Sequence, residues 1–134
     1  MNKRLRSEEE TLEFGRTVLA KVLQPGDCVA LVGVLGAGKT TLVRGILEGL
    51  GHEGPARSPT FNLIQTYDLE FPVLHADLYR LQAGAPLDDL SDHLVTSITL
   101  IEWPDRAPSL PYTHRVHLLV DGEERVLALD TLLE

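Results

Sequence analysis

Cysteine is nearly absent from this sequence: Cys28 is the only one among 134 residues, so no internal disulfide can form and a reducing cytoplasm is the expected compartment. Its setting in an apolar run reads as core packing in preference to reactive chemistry. Long apolar runs are missing too. No stretch approaches the ~20 residues of a membrane span, and Met1-Asn2-Lys3-Arg4-Leu5-Arg6 lacks the apolar segment of a signal peptide. The expectation is a soluble, cytoplasmic protein with no membrane partner. Basic residues are scarce: twelve Lys and Arg against twenty Asp and Glu give a formal net charge of −8, which opposes autonomous binding to a polyanion such as tRNA or DNA. Any nucleic-acid role is expected to run through a partner. No repeat, low-complexity tract or linker interrupts the chain, and 43% apolar residues suffice for a genuine core, so residues 1–134 read as one domain.

What is present is a phosphate-binding loop. Gly33-Val34-Leu35-Gly36-Ala37-Gly38-Lys39-Thr40 spells G-x-x-x-x-G-K-T directly after Cys28-Val29-Ala30-Leu31-Val32, an apolar run that reads as a buried strand. Glycines let backbone N–H groups curl around phosphate oxygens with no Cβ in the way, and the following helix turns its positive end to the anion. Lys39 would neutralise the β- and γ-phosphates as a point charge while burying no apolar surface, and the Thr40 hydroxyl is placed to coordinate Mg²⁺. A lysine at a helix start opposes the helix dipole unless an anion is there, so the pattern implies a nucleoside triphosphate. The helix is expected to continue through Leu42, Ile46 and Leu50, on one face, and to stop at Gly51.

Ser7-Glu8-Glu9-Glu10 is a capping box opening an earlier helix with apolar positions Leu12, Leu19, Val22 and Leu23, ended by the turn Gln24-Pro25-Gly26-Asp27. Strands are expected at 28–32, 61–67, 72–76 and 96–101, with a short helix after Pro86. Two final strands, 114–120 and 125–130, flank Asp121-Gly122-Glu123-Glu124 as a hairpin. The economical fold is α/β, three-layered, with a mainly parallel sheet and antiparallel edge strands.

Phosphate-loop enzymes need acidic residues where neighbouring strands end, to hold a divalent metal and orient a water near the γ-phosphate. Val73-Leu74-His75-Ala76-Asp77 and Leu100-Ile101-Glu102-Trp103-Pro104 both supply one. Either carboxylate alone reads equally as a cap on a following turn. Ser58-Pro59-Thr60-Phe61 is either an extended X-Pro connector or a switch loop sensing the γ-phosphate and its metal. His75 reads first as a structural imidazole and second as a base. Trp103 reads as core or interface, although its place next to Glu102 puts it near a nucleotide. Arg80 pairs with a local carboxylate or serves phosphate or partner recognition. Arg44, Arg57 and Arg80 are the only basic residues expected near these motifs.

Taken in series, G-x-L-G-A-G-K-T-T (33–41), S-P-T-F (58–61), H-x-D-L-Y-R-L (75–81) and I-E-W-P (101–104) resemble the TsaE family, bacterial ATPases of the tRNA threonylcarbamoyladenosine pathway. The resemblance covers nearly the whole chain, from Thr11-Leu12-Glu13-Phe14-Gly15 onward. It implies a phosphate-loop NTPase-like fold and an ATP-hydrolysing accessory to TsaB and TsaD, which transfer a threonylcarbamoyl group to the adenosine beside the anticodon of ANN-decoding tRNAs. The tRNA would be met only through that assembly. Carried over, Gly36, Ala37, Gly38, Lys39, Thr40 and Thr41 would embrace the phosphates, with Lys39, Asp77 and Glu102 catalytic. Thr40, Glu102 and Asp77 would handle Mg²⁺, Trp103 would lie beside the nucleotide, and the segment from Ser7 to Thr11 would meet the adenine end. One position departs: the family usually carries Asp or Glu where Val34 stands, which puts in doubt a water-positioning or partner-sensing role there.

Two other classes share these features. A small-molecule kinase needs an arginine-rich lid and an acceptor pocket, for which little chain is left; a nucleotide-gated scaffold needs no hydrolysis. A regulatory GTPase is disfavoured because the guanine-reading N-K-x-D sequence is absent.

Overall fold

In the computed structural model, residues 1–55, 64–80, 90 and 92–132 are described. The expected Ser58–Phe61 loop, Arg57 and the short helix expected after Pro86 lie outside those residues. One seven-stranded sheet organises the chain in the order β1-β7-β6-β2-β5-β4-β3. The strands are β1 (Asn2–Leu5), β2 (Cys28–Val32), β3 (Ile64–Asp68), β4 (Pro72–Asp77), β5 (Ile98–Glu102), β6 (His114–Asp121) and β7 (Glu124–Thr131). β6, β2, β5 and β4 run parallel to one another, and β3 on one edge and β7 and β1 on the other are antiparallel. This is the mixed α/β sheet the sequence predicts. Its central strands are apolar on both faces, as parallel strands covered on both sides must be: all five residues of β5 are buried.

Helices cover one face. Ser7 caps α1 (Glu8–Phe14) by accepting from the Glu10 N–H at 3.2 Å, and the Glu10 carboxylate reaches back to the Arg6 N–H at 3.1 Å. The helix then widens into a π-helical turn (Gly15–Leu19) before a last short turn, α2 (Ala20–Val22). α3 (Lys39–Gly49) packs beside α1 and ends as expected: Gly51 has φ of 104°, its N–H reaches Glu48 O, and the His52 N–H reaches Leu47 O. Between these helices and the sheet lie Phe14, Leu19, Leu42, Ile46, Val29 and Leu100, all buried. On the opposite face Cys28, Leu74, Ala76 and Ile101 are covered by Leu90, Ala107 and, partly buried, Trp103, Leu110 and Tyr112, around a 3₁₀ turn (Pro104–Arg106). Burial pushes the Cys28 thiol up to about 12, so it is core filler as expected.

Two local expectations change. Val22, counted among the apolar helix positions, is 47% exposed, whereas Leu12, Leu19 and Leu23 are buried. β1 has no counterpart in the sequence reading: Asn2, Lys3 and Arg4 are exposed and only Leu5 is buried, so its strand character comes from pairing with β7, not from its own pattern.

The helix pair approaches closely through glycines. A Cβ on Gly45 would sit 2.2 Å from the Leu12 carbonyl oxygen, and one on Gly49 2.4 Å from that of Arg16. Backbone carbonyls cannot swing aside as a flexible side chain can. Gly45→Ala is therefore expected to destabilise the fold by about 1–3 kcal/mol despite alanine's better helix propensity, because overpacking outweighs it. Urea unfolding measures this, and a variant as stable as the parent would show that the helices are free to separate.

Candidate functional site

At the carboxyl end of β2 the chain turns through 33–38 into α3. Gly36 and Gly38 have φ of 80° and 106°, which only glycine adopts without strain, and the Ala37 N–H closes the turn on Val34 O at 3.1 Å. Gly38 is the N-cap of α3 and contributes no side chain there, and the first turn of α3 carries no acidic residue. The leading N–H groups of such a helix have no intrahelical partner and suit an anion. Val34 is 63% exposed at the loop's tip, so the loop does not rely on that side chain for packing.

The loop forms one wall of a cleft of about 500 Å³. Thr11 of α1, Asp77 of β4, Glu102 of β5 and Trp103 line it together with Gly36, Ala37, Gly38, Lys39, Thr40 and Thr41. The residues expected at the site are thus brought to one place. Thr11 packs at the loop, with its Cγ2 3.8 Å from where a Gly38 Cβ would be, and Glu8 accepts from the Thr41 hydroxyl at 3.4 Å. Arg44 pairs with Glu8 at 3.8 Å, while Arg80 is exposed and does not line the cleft.

Asp77 and Glu102 are direct register partners on adjacent parallel strands. Asp77 also accepts from the Tyr79 N–H at 3.1 Å, so it caps the following turn and faces the cleft at once. Glu102 is buried, and its Oε2 lies 2.6 Å from Nε2 of His75, one pleat earlier on the same face of β4. With an ionised Glu102 as acceptor, the Nε2 carries the proton. The other ring nitrogen, Nδ1, is buried with no hydrogen-bond partner among the described residues. His75 is therefore only half-satisfied, and its one bond orients Glu102.

Lys39 differs from expectation. It is 5% exposed, with its Nζ donating to Gly33 O at 2.5 Å and lying 3.7 Å from the centre of the Trp103 ring. Burial lowers the pKa of its ammonium group, and the nearby Glu102, Asp77 and Asp105 carboxylates oppose that shift. The side chain is thus packed and folded back on its own loop. Trp103 is held over it by a left-handed backbone, φ of 61°, the only positive φ at a non-glycine among the described residues. Tyr79 leans on the same Trp103 ring, centroids 4.9 Å apart.

Arg125 of β7 also lines the cleft, which corrects the expectation that Arg44, Arg57 and Arg80 were the only basic residues nearby. Its Nε donates to Ala37 O at 2.9 Å and its Nη2 to Gly36 O at 3.2 Å. Nothing in the sequence around 125 signals this. The contact spans 88 residues of chain and exists only because β7 lies two strands from β2.

Among the described residues no group of three or more His, Cys, Asp or Glu side chains is placed to hold a metal ion by itself, and no helix is long and apolar enough to cross a membrane.

A profile of the family described as "Threonylcarbamoyl adenosine biosynthesis protein TsaE" matches residues 5–127. The tRNA threonylcarbamoyladenosine biosynthesis protein TsaE of Nostoc sp. is 41% identical over 130 residues, covering 90% of this chain and 78% of that protein. The protein of the same name from Treponema pallidum is 35% identical over 131 residues, covering 90% of this chain and 94% of that one. Among solved structures, Bacillus subtilis YdiB superposes with a TM-score of 0.79 at 28% identity, over 98% of this chain and 85% of that one. The matched stretch holds the glycine loop, both acidic strand ends and Arg125, and by it this chain belongs to the TsaE family of tRNA threonylcarbamoyladenosine biosynthesis proteins.

Proposed function

We propose that this protein binds ATP with Mg²⁺ in the loop-lined cleft and hydrolyses it slowly, as an accessory ATPase to TsaB and TsaD in threonylcarbamoylation of the adenosine beside the anticodon. The observation that carries this reading is the convergence of Lys39, at the head of α3, with the Asp77–Glu102 register pair across the loop. The family membership supports the pathway.

In this reading the N–H groups from Gly36 to Thr41 take the phosphate oxygens, and Lys39 exchanges Gly33 O for the β- and γ-phosphates. Thr40, Asp77 and Glu102 hold the magnesium ion, directly or through its waters. A magnesium site completed by substrate phosphates needs only one or two carboxylates, which fits the paired acids. Bound Mg²⁺ supplies charge neutralisation on the transferring phosphoryl group. Glu102, oriented by His75, is the carboxylate placed to position the attacking water, and Trp103 walls the nucleotide. Thr11 and the start of α1 close the adenine end.

Lys39 and Arg125 are the only cations lining the cleft among the described residues, and Arg125 is engaged with backbone carbonyls. Transition-state charge is then poorly compensated in the isolated chain, and turnover is expected to rise by orders of magnitude when partners order the site or add an arginine in trans. Phosphate release is measured with this chain alone, with TsaB–TsaD, and with tRNA added. Slow release that climbs with the partners is the expected result. Turnover alone at the rate of the full assembly, phosphate moved to an added acceptor instead of water, or tight tRNA binding at physiological salt by the chain alone would overturn the reading.

A further inference from the structure

We propose that Arg125 is the positioning residue of the phosphate loop, holding the loop's backbone in its phosphate-accepting shape through its carbonyls. The inference rests on the reading of this cleft as an ATP site and adds a part to it. A loop that turns its N–H groups inward to an anion must turn carbonyls outward, and those carbonyls need partners of their own. Here the carbonyls of Gly36 and Ala37 meet a single guanidinium, at 3.2 and 2.9 Å.

The buried Ala37 and its N–H bond to Val34 O hold the base of the loop, but the side chains at its apex do not. Val34 and Leu35 are each 63% exposed, and a Cβ built on Gly36 would meet nothing within 4 Å. No neighbouring side chain selects the left-handed backbone at Gly36; the Ala37 N–H bond to Val34 O and the Arg125 fork, which ties two successive peptide units at once, hold it there. The fork itself is anchored. Nη1 of Arg125 donates to Glu124 O at 2.9 Å, and the strand carrying it is laddered to β6 and β1 on its two sides.

The tie also acts electrostatically. The carbonyl of Ala37 shares its peptide unit with the N–H of Gly38, the helix N-cap, so a cation on that oxygen polarises the N–H toward the cleft. A positive charge at the loop's carbonyls adds to the field an incoming triphosphate meets. Lysine carries its three donors on a single freely rotating nitrogen and cannot span both oxygens with fixed geometry, so it is a poor substitute.

The test uses the intrinsic fluorescence of Trp103, the only tryptophan, to follow MgATP binding by the parent, Arg125→Ala, Arg125→Lys and Arg125→Gln at a temperature where all are folded. Arg125→Ala is expected to raise the Kd for MgATP by about tenfold, or about 1.4 kcal/mol, with Arg125→Lys recovering only part of the loss. At saturating ATP kcat should change much less than KM, because Arg125 prepares the loop and does not touch the reacting atoms. An unchanged Kd with a lower unfolding midpoint would make Arg125 a purely structural tie and overturn the proposal. So would an Arg125→Lys variant binding as tightly as the parent, since the fork would then be unnecessary. If Arg125→Ala does not fold, Arg125→Gln, which keeps a donor and loses the charge, carries the same comparison. A parent that binds no MgATP would instead overturn the proposed function.

Discussion

Lys39→Ala is expected to abolish productive ATP binding and to lower turnover at least about a hundredfold, because uncompensated β,γ-phosphate charge costs several kcal/mol of binding and transition-state stabilisation. Calorimetric titration with MgATP reads the binding directly. The buried position of Lys39 adds a second effect: alanine would strip the buried methylene stem and, like any replacement without the ammonium, leave Gly33 O without its donor. Lys39→Met keeps the stem and removes the charge, so it separates the two. Both variants should lose ATP, while Lys39→Met should keep a stability nearer the parent's. ATP affinity equal to the parent's in Lys39→Met would sink the assignment of the loop as the phosphate site.

Glu102→Gln is expected to depress turnover on the order of a hundredfold while leaving ATP affinity within a few-fold, since a positioned carboxylate acts on the transition state more than on the bound ground state. Glutamine keeps the shape of the side chain and can still meet His75 Nε2, and removing a buried negative charge relieves desolvation, so the fold should persist. The contrast should widen at low Mg²⁺, where each protein ligand matters more. Single-turnover phosphate release beside a binding titration checks this. Equal turnover in parent and variant would remove Glu102 from the mechanism; equal losses in turnover and binding would leave it only its part in holding the magnesium ion.

The parts of the fold that could be read from the sequence are those whose cause is local. Cys28–Val32 is apolar throughout because both faces of a central parallel strand are covered, and the glycine spacing after it admits one backbone path. The capping box at Ser7 and the stop at Gly51 are stereochemical and need no tertiary partner. Boundaries drifted where pairing decides them: the strand expected over 96–101 is Ile98–Glu102, and the last two extend to Asp121 and Thr131. β1 carries no strand pattern for the same reason, its residues being mostly polar and its order coming from β7.

What the sequence by itself determined is which side chains the site holds: a glycine loop with Lys39 and Thr40 at its end, and carboxylates closing two apolar strands, because residue type and near-neighbour spacing are enough to mark them. What only the tertiary structure decided is how those groups are held. The register of β4 against β5 sets Asp77 beside Glu102 and His75 within 2.6 Å of it, a pairing across 27 residues of chain. The left-handed turn at Trp103 lays its ring over Lys39, and the sheet order carries Arg125 to the loop's carbonyls. Such contacts are set by strand order and pleat, which emerge from the sum of many weak packing terms and leave no mark on the residues nearby.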